Sequence, residues 1–226
     1  MRTKPQTQVG ITLISMMIGL VISSLSILAM LSLYRNLVHQ AADSIVHSNL
    51  DGQVAAGLLT AQIELQSAGF GIASAAVNQD LMLLAGASLT PGGMLSGTIQ
   101  NIVGGEQDGE AIVWGSDPTR SAYLCSALLA EDGGLILLRG VPCTRAIQFS
   151  SADWSENSVA LIAPGTLNAE QAVSIRTQVN NCWPYGKSFA NPAVQVVISA
   201  GGSTLNTDTA YAASSYTVCL PNLAPP

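Results

Sequence analysis

From Ile11 to Leu33 the chain runs for 23 residues without a charge or a proline. As a helix at about 1.5 Å per residue this run reaches roughly 35 Å, enough to cross a hydrocarbon layer of about 30 Å. Arg2 and Lys4 stand before it and Arg35 follows it. A secretory signal peptide has a similar basic start, but its apolar core is usually about 7–15 residues and closes at a small-residue cleavage site. Here the run closes on Ser32, Leu33, Tyr34 and Arg35. The segment 11–33 is therefore expected to span a membrane, with Arg2 and Lys4 holding the N-terminus on the cytoplasmic side and the residues after Arg35 outside the cytoplasm.

The helical pattern continues past the apolar run. Tyr34, Leu37, Val38, Ala41, Ala42, Ile45 and Val46 recur at spacings of three and four, and Val54, Leu58, Leu59, Ile63 and Leu65 resume after a polar stretch. No proline falls between Ile11 and Ala68, so one helix over 11–68 is expected, about 87 Å long if unbroken. Gly52 and Gly57 weaken it by about 1 kcal/mol each relative to alanine. Gly69 and Gly71 supply its stop. From Ile72 onward, short β-like runs alternate with turns: strands are expected to begin at Ala111, Ala122, Leu135, Ser158, Val194 and Ser215. Glu131–Gly134 reads as a hairpin turn, and Thr90–Gly97 and the C-terminal tail as loops. The fold class implied is α+β, a long N-terminal helix packed on a mostly antiparallel sheet head over 69–226.

Only 10% of the 226 residues are charged, 14 acidic against 8 basic. With so few clustered cations the chain is not expected to bind nucleic acid broadly, since phosphate affinity comes mainly from Lys and Arg. Cys125, Cys143, Cys182 and Cys219 all lie beyond the apolar run, where an oxidising compartment would make disulfides. Four cysteines allow three pairings. There is no C-x-x-C and no histidine beside a cysteine, so no zinc site is expected.

Catalytic patterns are sparse. His39 and His47 stand eight residues apart on the helix, too far to share one metal, and read as solvated helix surface. No G-x-S-x-G elbow occurs, so the chain is not read as a hydrolase. Glu106, Asp108 and Glu110 alternate and would share one face of a strand, an arrangement that can offer oxygen ligands to calcium. The simpler reading is a solvated turn leading into the strand at Ala111. In "NCWPYGKSF", Trp183, Tyr185, Lys187 and Phe189 follow Cys182, and aromatic residues in a constrained loop are candidate contact anchors. No cofactor, metal or enzymatic activity is expected.

A short basic leader, Gly10 before Ile11, then Thr12-Leu13-Ile14 and an uncharged helix that turns amphipathic, resembles the N-terminus of type IV pilins and type II secretion pseudopilins. "AQIELQSAGFGIAS" resembles, over a short span, the end of the long helix in PilW-like minor pilins. The resemblance implies a leader over 1–10, cleavage by a prepilin peptidase between Gly10 and Ile11, and methylation of the new N-terminus. It implies residence in the inner membrane with the head in the periplasm, followed by transfer to a pilus on the cell surface. The partners implied are other minor and major pilins, met through the N-terminal helix. Two positions depart from the family pattern. The mature chain would begin with Ile11 where most members have phenylalanine, and Ser15 stands where most have a glutamate that meets a neighbouring subunit's N-terminal ammonium.

The substitution at Ser15 points to a subunit at or near the filament tip, one that primes assembly in support of adhesion, twitching or DNA uptake. By the same resemblance a disulfide Cys182–Cys219 would close the C-terminal region. Cys125–Cys143 is expected as the second pair: the two flank the expected hairpin, and because a straight register sets Cys125 opposite Gly140, their pairing requires a bulge or loop near Pro142. Two other readings share the N-terminal features: a type II secretion minor pseudopilin, and an uncut membrane-anchored periplasmic enzyme or binding protein.

Overall fold

The computed structural model describes residues 12–169, 171–182, 191–201 and 214–224. Two compact units divide the chain, Met1–Ser48 and Asn49–Pro226. One helix, α1, runs over Leu13–Leu65. It ends three residues earlier than the apolar pattern suggests. At its end Ser67 and Ala68 donate N–H bonds to the carbonyls three residues back, and Gly69 (φ +74°) and Gly71 (φ +79°) turn the chain away in the left-handed conformation that glycine tolerates.

The C-terminal unit starts within the helix rather than at residue 69. Val54, Gly57, Leu58, Ala61 and Leu65 are buried, a stripe at three- and four-residue spacing. Two of the residues expected to belong to it, Leu59 and Ile63, lie on the other side and are exposed. Ten strands follow among the described residues: β1 (Leu81–Leu89), β2 (Leu95–Gln100), β3 (Gln107–Gly109), β4 (Ala111–Ser116), β5 (Leu124–Glu131), β6 (Gly134–Pro142), β7 (Ser158–Ile162), β8 (Ser174–Cys182), β9 (Asn191–Ala200) and β10 (Ser214–Leu220). They form a six-stranded sheet of order β2-β1-β4-β5-β6-β7 and a four-stranded sheet of order β10-β9-β8-β3, and every strand pairing is antiparallel. The six expected strands are all present. The expected loop at Thr90–Gly97 is a loop only as far as Met94, because Leu95–Gly97 open β2.

Alternation along the larger sheet divides its side chains between two cores. Leu81, Leu83, Ile112, Trp114, Leu128 and Leu137 face one way and join the helix stripe and the inner face of the smaller sheet, including Ile175, Val196 and Val218. Met82, Leu84, Val113, Ala127, Leu129 and Leu138 face the other way, onto a short 3-10 turn, Ala146–Ser151, and the side chain of Trp154. With both faces covered, the central strands are apolar in succession rather than alternating.

The hairpin between β5 and β6 turns at Asp132 (φ +50°) and Gly133 (φ +67°), the paired positive φ values of a type I′ turn. Ala127 pairs with Leu138 but Cys125 pairs with Val141, so β6 carries one extra residue. The bulge lies at Arg139 and Gly140, two residues before Pro142. Gly140 has φ +50°, and its N–H donates to Ser126 Oγ at 3.0 Å, satisfying a group the bulge removes from the ladder. The shift brings Cys143 to Cys125, with Cα atoms 5.8 Å apart. Cys182 and Cys219, 6.0 Å apart at Cα, join the two strands that flank β9.

Gly57, a weak helix former inside α1, has a packing reason. A Cβ there would lie 2.8 Å from both the Leu161 carbonyl oxygen and Ile162 Cγ1, so only glycine lets the helix sit this close to β7. Gly57→Ala gains about 1 kcal/mol of helix propensity but forces helix and strand apart, at a cost of about 1–3 kcal/mol. Net destabilisation of the head in thermal unfolding is expected, while Gly52→Ala, which meets nothing within 4 Å, should stabilise or leave the Tm unchanged.

Candidate functional site

The described part of the N-terminal unit, residues 12–48, is the first part of α1 and the Thr12 that precedes it. Leu13 is 77% exposed and Ile27 60%, and the other apolar residues from Leu13 to Val46 are exposed alike. This helix is long and apolar enough to cross a membrane. Thr12 caps its start. The Thr12 carbonyl accepts the first helical bond, from Met16 N–H at 3.3 Å, and Thr12 Oγ1 accepts from Ser15 N–H at 3.4 Å, the long end of an N-cap interaction.

Ser15 thus occupies the third helical position, the one where a capping box carries glutamate or glutamine. With Gly19 and Ser23 it lies on one face at four-residue spacing. Small residues repeated this way let another helix approach closely in a membrane. The hydroxyls further along are satisfied within the helix: Ser23 Oγ donates to the Gly19 carbonyl at 2.7 Å, Ser24 Oγ to Val21 at 2.8 Å and Ser26 Oγ to Ile22 at 2.9 Å. These bonds make serines tolerable in hydrocarbon.

Gly10 and Ile11 lie outside the described residues, as do Trp183, Tyr185, Lys187 and Phe189. His39 is exposed and His47 half-buried on α1. The three alternating acids part company. Glu106 and Asp108 both pair with Arg176, at 3.2 and 2.7 Å, and Glu110 Oε2 accepts from Gly86 N–H at 2.7 Å. Glu106 and Asp108 flank and occupy β3, where Asp108 is opposite Arg176 of β8; their surroundings are those of a cross-strand ion pair. Among the described residues no three His, Cys, Asp or Glu side chains converge as metal ligands.

The head holds one polar cluster that the sequence patterns did not single out. Asp80 is fully buried, just before β1. Its Oδ2 accepts from Ala76 N–H at 3.0 Å, and its Oδ1 accepts from Tyr123 Oη–H at 2.8 Å and Arg145 Nε–H at 3.1 Å. Tyr123 Oη accepts in turn from Ala146 N–H at 3.2 Å. Burial, then the hydrogen bond to Asp80, push the Tyr123 hydroxyl well above its ordinary pKa of 10.0, which keeps it protonated and a poor base. The cluster ties the start of β1 to β5 and to the 3-10 turn, joining segments far apart in sequence. A signal for it exists: Asp80 is the only charged residue between Glu64 and Glu106, and an isolated acid beside an apolar run has to find partners inside.

Asp80→Ala would strand Arg145, Tyr123 and the Ala76 N–H, and a destabilisation of about 3–5 kcal/mol is expected from chemical unfolding. Tyr123 has a folded-state pKa above its unfolded value, so its contribution is complete below pH 10.0 and is lost as the pH rises beyond that. Tyr123→Phe should lower stability at neutral pH and flatten the decline on the alkaline side. In comparisons with known proteins, no family model, no curated protein and no solved structure matches this chain.

Proposed function

We propose that this chain is a PilW-like minor pilin, cut after Gly10, which primes type IV pilus assembly at or near the filament tip. The observation that carries this reading is the first part of α1, which from Leu13 to Tyr34 is uncharged and exposed and presents Ser15, Gly19 and Ser23 on one face. A bilayer holds such a helix before assembly. Moving it among other subunits' helices exchanges one apolar surrounding for another, so the preference must come from packing and polar pairing rather than from the hydrophobic effect. Small residues favour close packing. The chain's work is then mechanical, and the N-terminal helix is its principal contact with other pilins.

Ser15 bears on position in the filament. An N-terminal ammonium buried among helices costs several kcal/mol unless a carboxylate pairs with it. In the family's logic that carboxylate comes from the glutamate of the subunit added next, the one below. A subunit at the tip has no ammonium above it to neutralise, and it alone can carry serine without leaving a charge unpaired. Its own ammonium is paired by the next minor pilin below.

The mature protein is expected to begin at N-methylated Ile11 by intact-mass and N-terminal analysis of the membrane extract. Gly10→Val should leave the precursor uncut, because a side chain there keeps the peptidase from the backbone. A wild-type chain that begins at Met1 would instead favour a membrane-anchored periplasmic protein. Immunogold label should fall at filament ends, with Ser15→Glu tolerated, since a glutamate at that position can reach back to Thr12 as a capping box does. Label spread along the shaft would remove the tip assignment.

A further inference from the structure

The loop between β4 and β5 closes one side of an open cleft of about 620 Å³, walled by Gly71, Ile72, Ala73, Asp117, Arg120 and Tyr123. That volume is in the range of small-molecule sites. The walls are fixed by backbone bonds: Asp117 N–H donates to the Phe70 carbonyl at 2.8 Å, and Gly69 N–H to the Gly115 carbonyl at 2.8 Å. At Gly71 a Cβ would collide with the Asp117 carbonyl, so the two walls approach as closely as the chain allows. Asp117 organises the loop. Its carbonyl accepts from Arg120 N–H at 3.2 Å, and its Oδ1 accepts from Ser121 N–H at 2.9 Å and Ala122 N–H at 3.1 Å.

Within that pinned loop Arg120 has φ +58°, a left-handed conformation that disfavours any residue bearing a side chain. Glycine would relieve it. Arg120 is also exceptional in its charge. Among the described residues of Asn49–Pro226 there are four arginines. Arg139 pairs with Glu64, Arg145 with Asp80 and Arg176 with Glu106 and Asp108, while Arg120 is exposed at the cleft without an ion pair. Strain and an unpaired cation at one residue of a cleft wall have a common explanation in a bound anion.

We propose that this cleft binds a small organic carboxylate with an apolar body, its carboxylate on the Arg120 guanidinium and its body against Ile72, Ala73 and the Tyr123 ring. Tyr123 offers its ring because its hydroxyl is already donated to Asp80. Asp117 limits the ligand's charge: this acidic residue is also part of the cleft wall, and the chain carries a net charge of −6. A single negative charge is therefore favoured over phosphate or a polyanion. The site lies wholly in the C-terminal unit and stands apart from how the chain assembles.

The test uses the full chain in neutral detergent, with butyrate as probe and butylamine and inorganic phosphate as controls, read by amide chemical shifts. Butyrate should produce saturable shifts at Gly71, Ile72, Ala73 and Arg120, and both controls should produce none. Arg120→Gly should bind butyrate at least about tenfold more weakly, while its Tm stays equal to wild type or rises because the backbone strain is relieved. Arg120→Lys, which keeps the charge without the planar fork, should retain part of the affinity. No saturable shift at millimolar butyrate, equal response to either control, or undiminished binding by Arg120→Gly would each overturn the site.

Discussion

The head depends on one contact, the burial of the stripe Val54, Gly57, Leu58, Ala61 and Leu65 between two antiparallel sheets. Neither sheet closes on itself, and each has an apolar face that needs a cover. The helix supplies that cover for both, because Leu58, Ala61 and Leu65 are fully buried in the core that the sheets share. Gly57 sets how near the helix comes to β7. The second face of the larger sheet is closed from the opposite side by the 3-10 turn and Trp154, so its strands serve two cores at once.

Charge is used sparingly and with defined partners. Among the described residues the one fully buried carboxylate, Asp80, receives three hydrogen bonds, which converts a group expensive to bury into a cross-tie between β1, β5 and the 3-10 turn. Glu64, on the helix, pairs with Arg139 at the β6 bulge. An ion pair as open as this contributes little to stability, but it marks the point where helix and bulge meet. The paired arginines also make Arg120 informative, since its lack of an ion pair stands against a consistent background.

Much of the architecture was legible in the sequence, and the gaps have physical causes. The long helix and six strands follow from periodicity, and the I′ turn at Asp132–Gly133 from its turn residues. β1, "LMLLAGASL", was missed because its residues enter two cores, which removes the alternation that identifies a half-buried strand. β2 starts inside a Gly-rich stretch that reads as loop. β8 does alternate, with Ile175 and Thr177 inside and Ser174 and Arg176 outside, but its polar content hid it. The helix stripe was misassigned at Leu59 and Ile63, since apolarity alone does not say which side of a helix meets the sheets. Of the site, the apolar helix and the place of Ser15 in it were readable; the Asp80 cluster and the Arg120 cleft were not, because they join residues distant in sequence.

The central proposal is that the N-terminal helix exchanges lipid for the helices of pilin subunits. A photo-cross-linker placed at Ile27, exposed in the lone chain, tests it most directly in cells that assemble filaments and in cells with assembly blocked. The proposed function predicts cross-links to the N-terminal helices of pilin subunits in the first and only lipid adducts in the second. Lipid adducts alone in both, from protein shown to be correctly inserted, would contradict it.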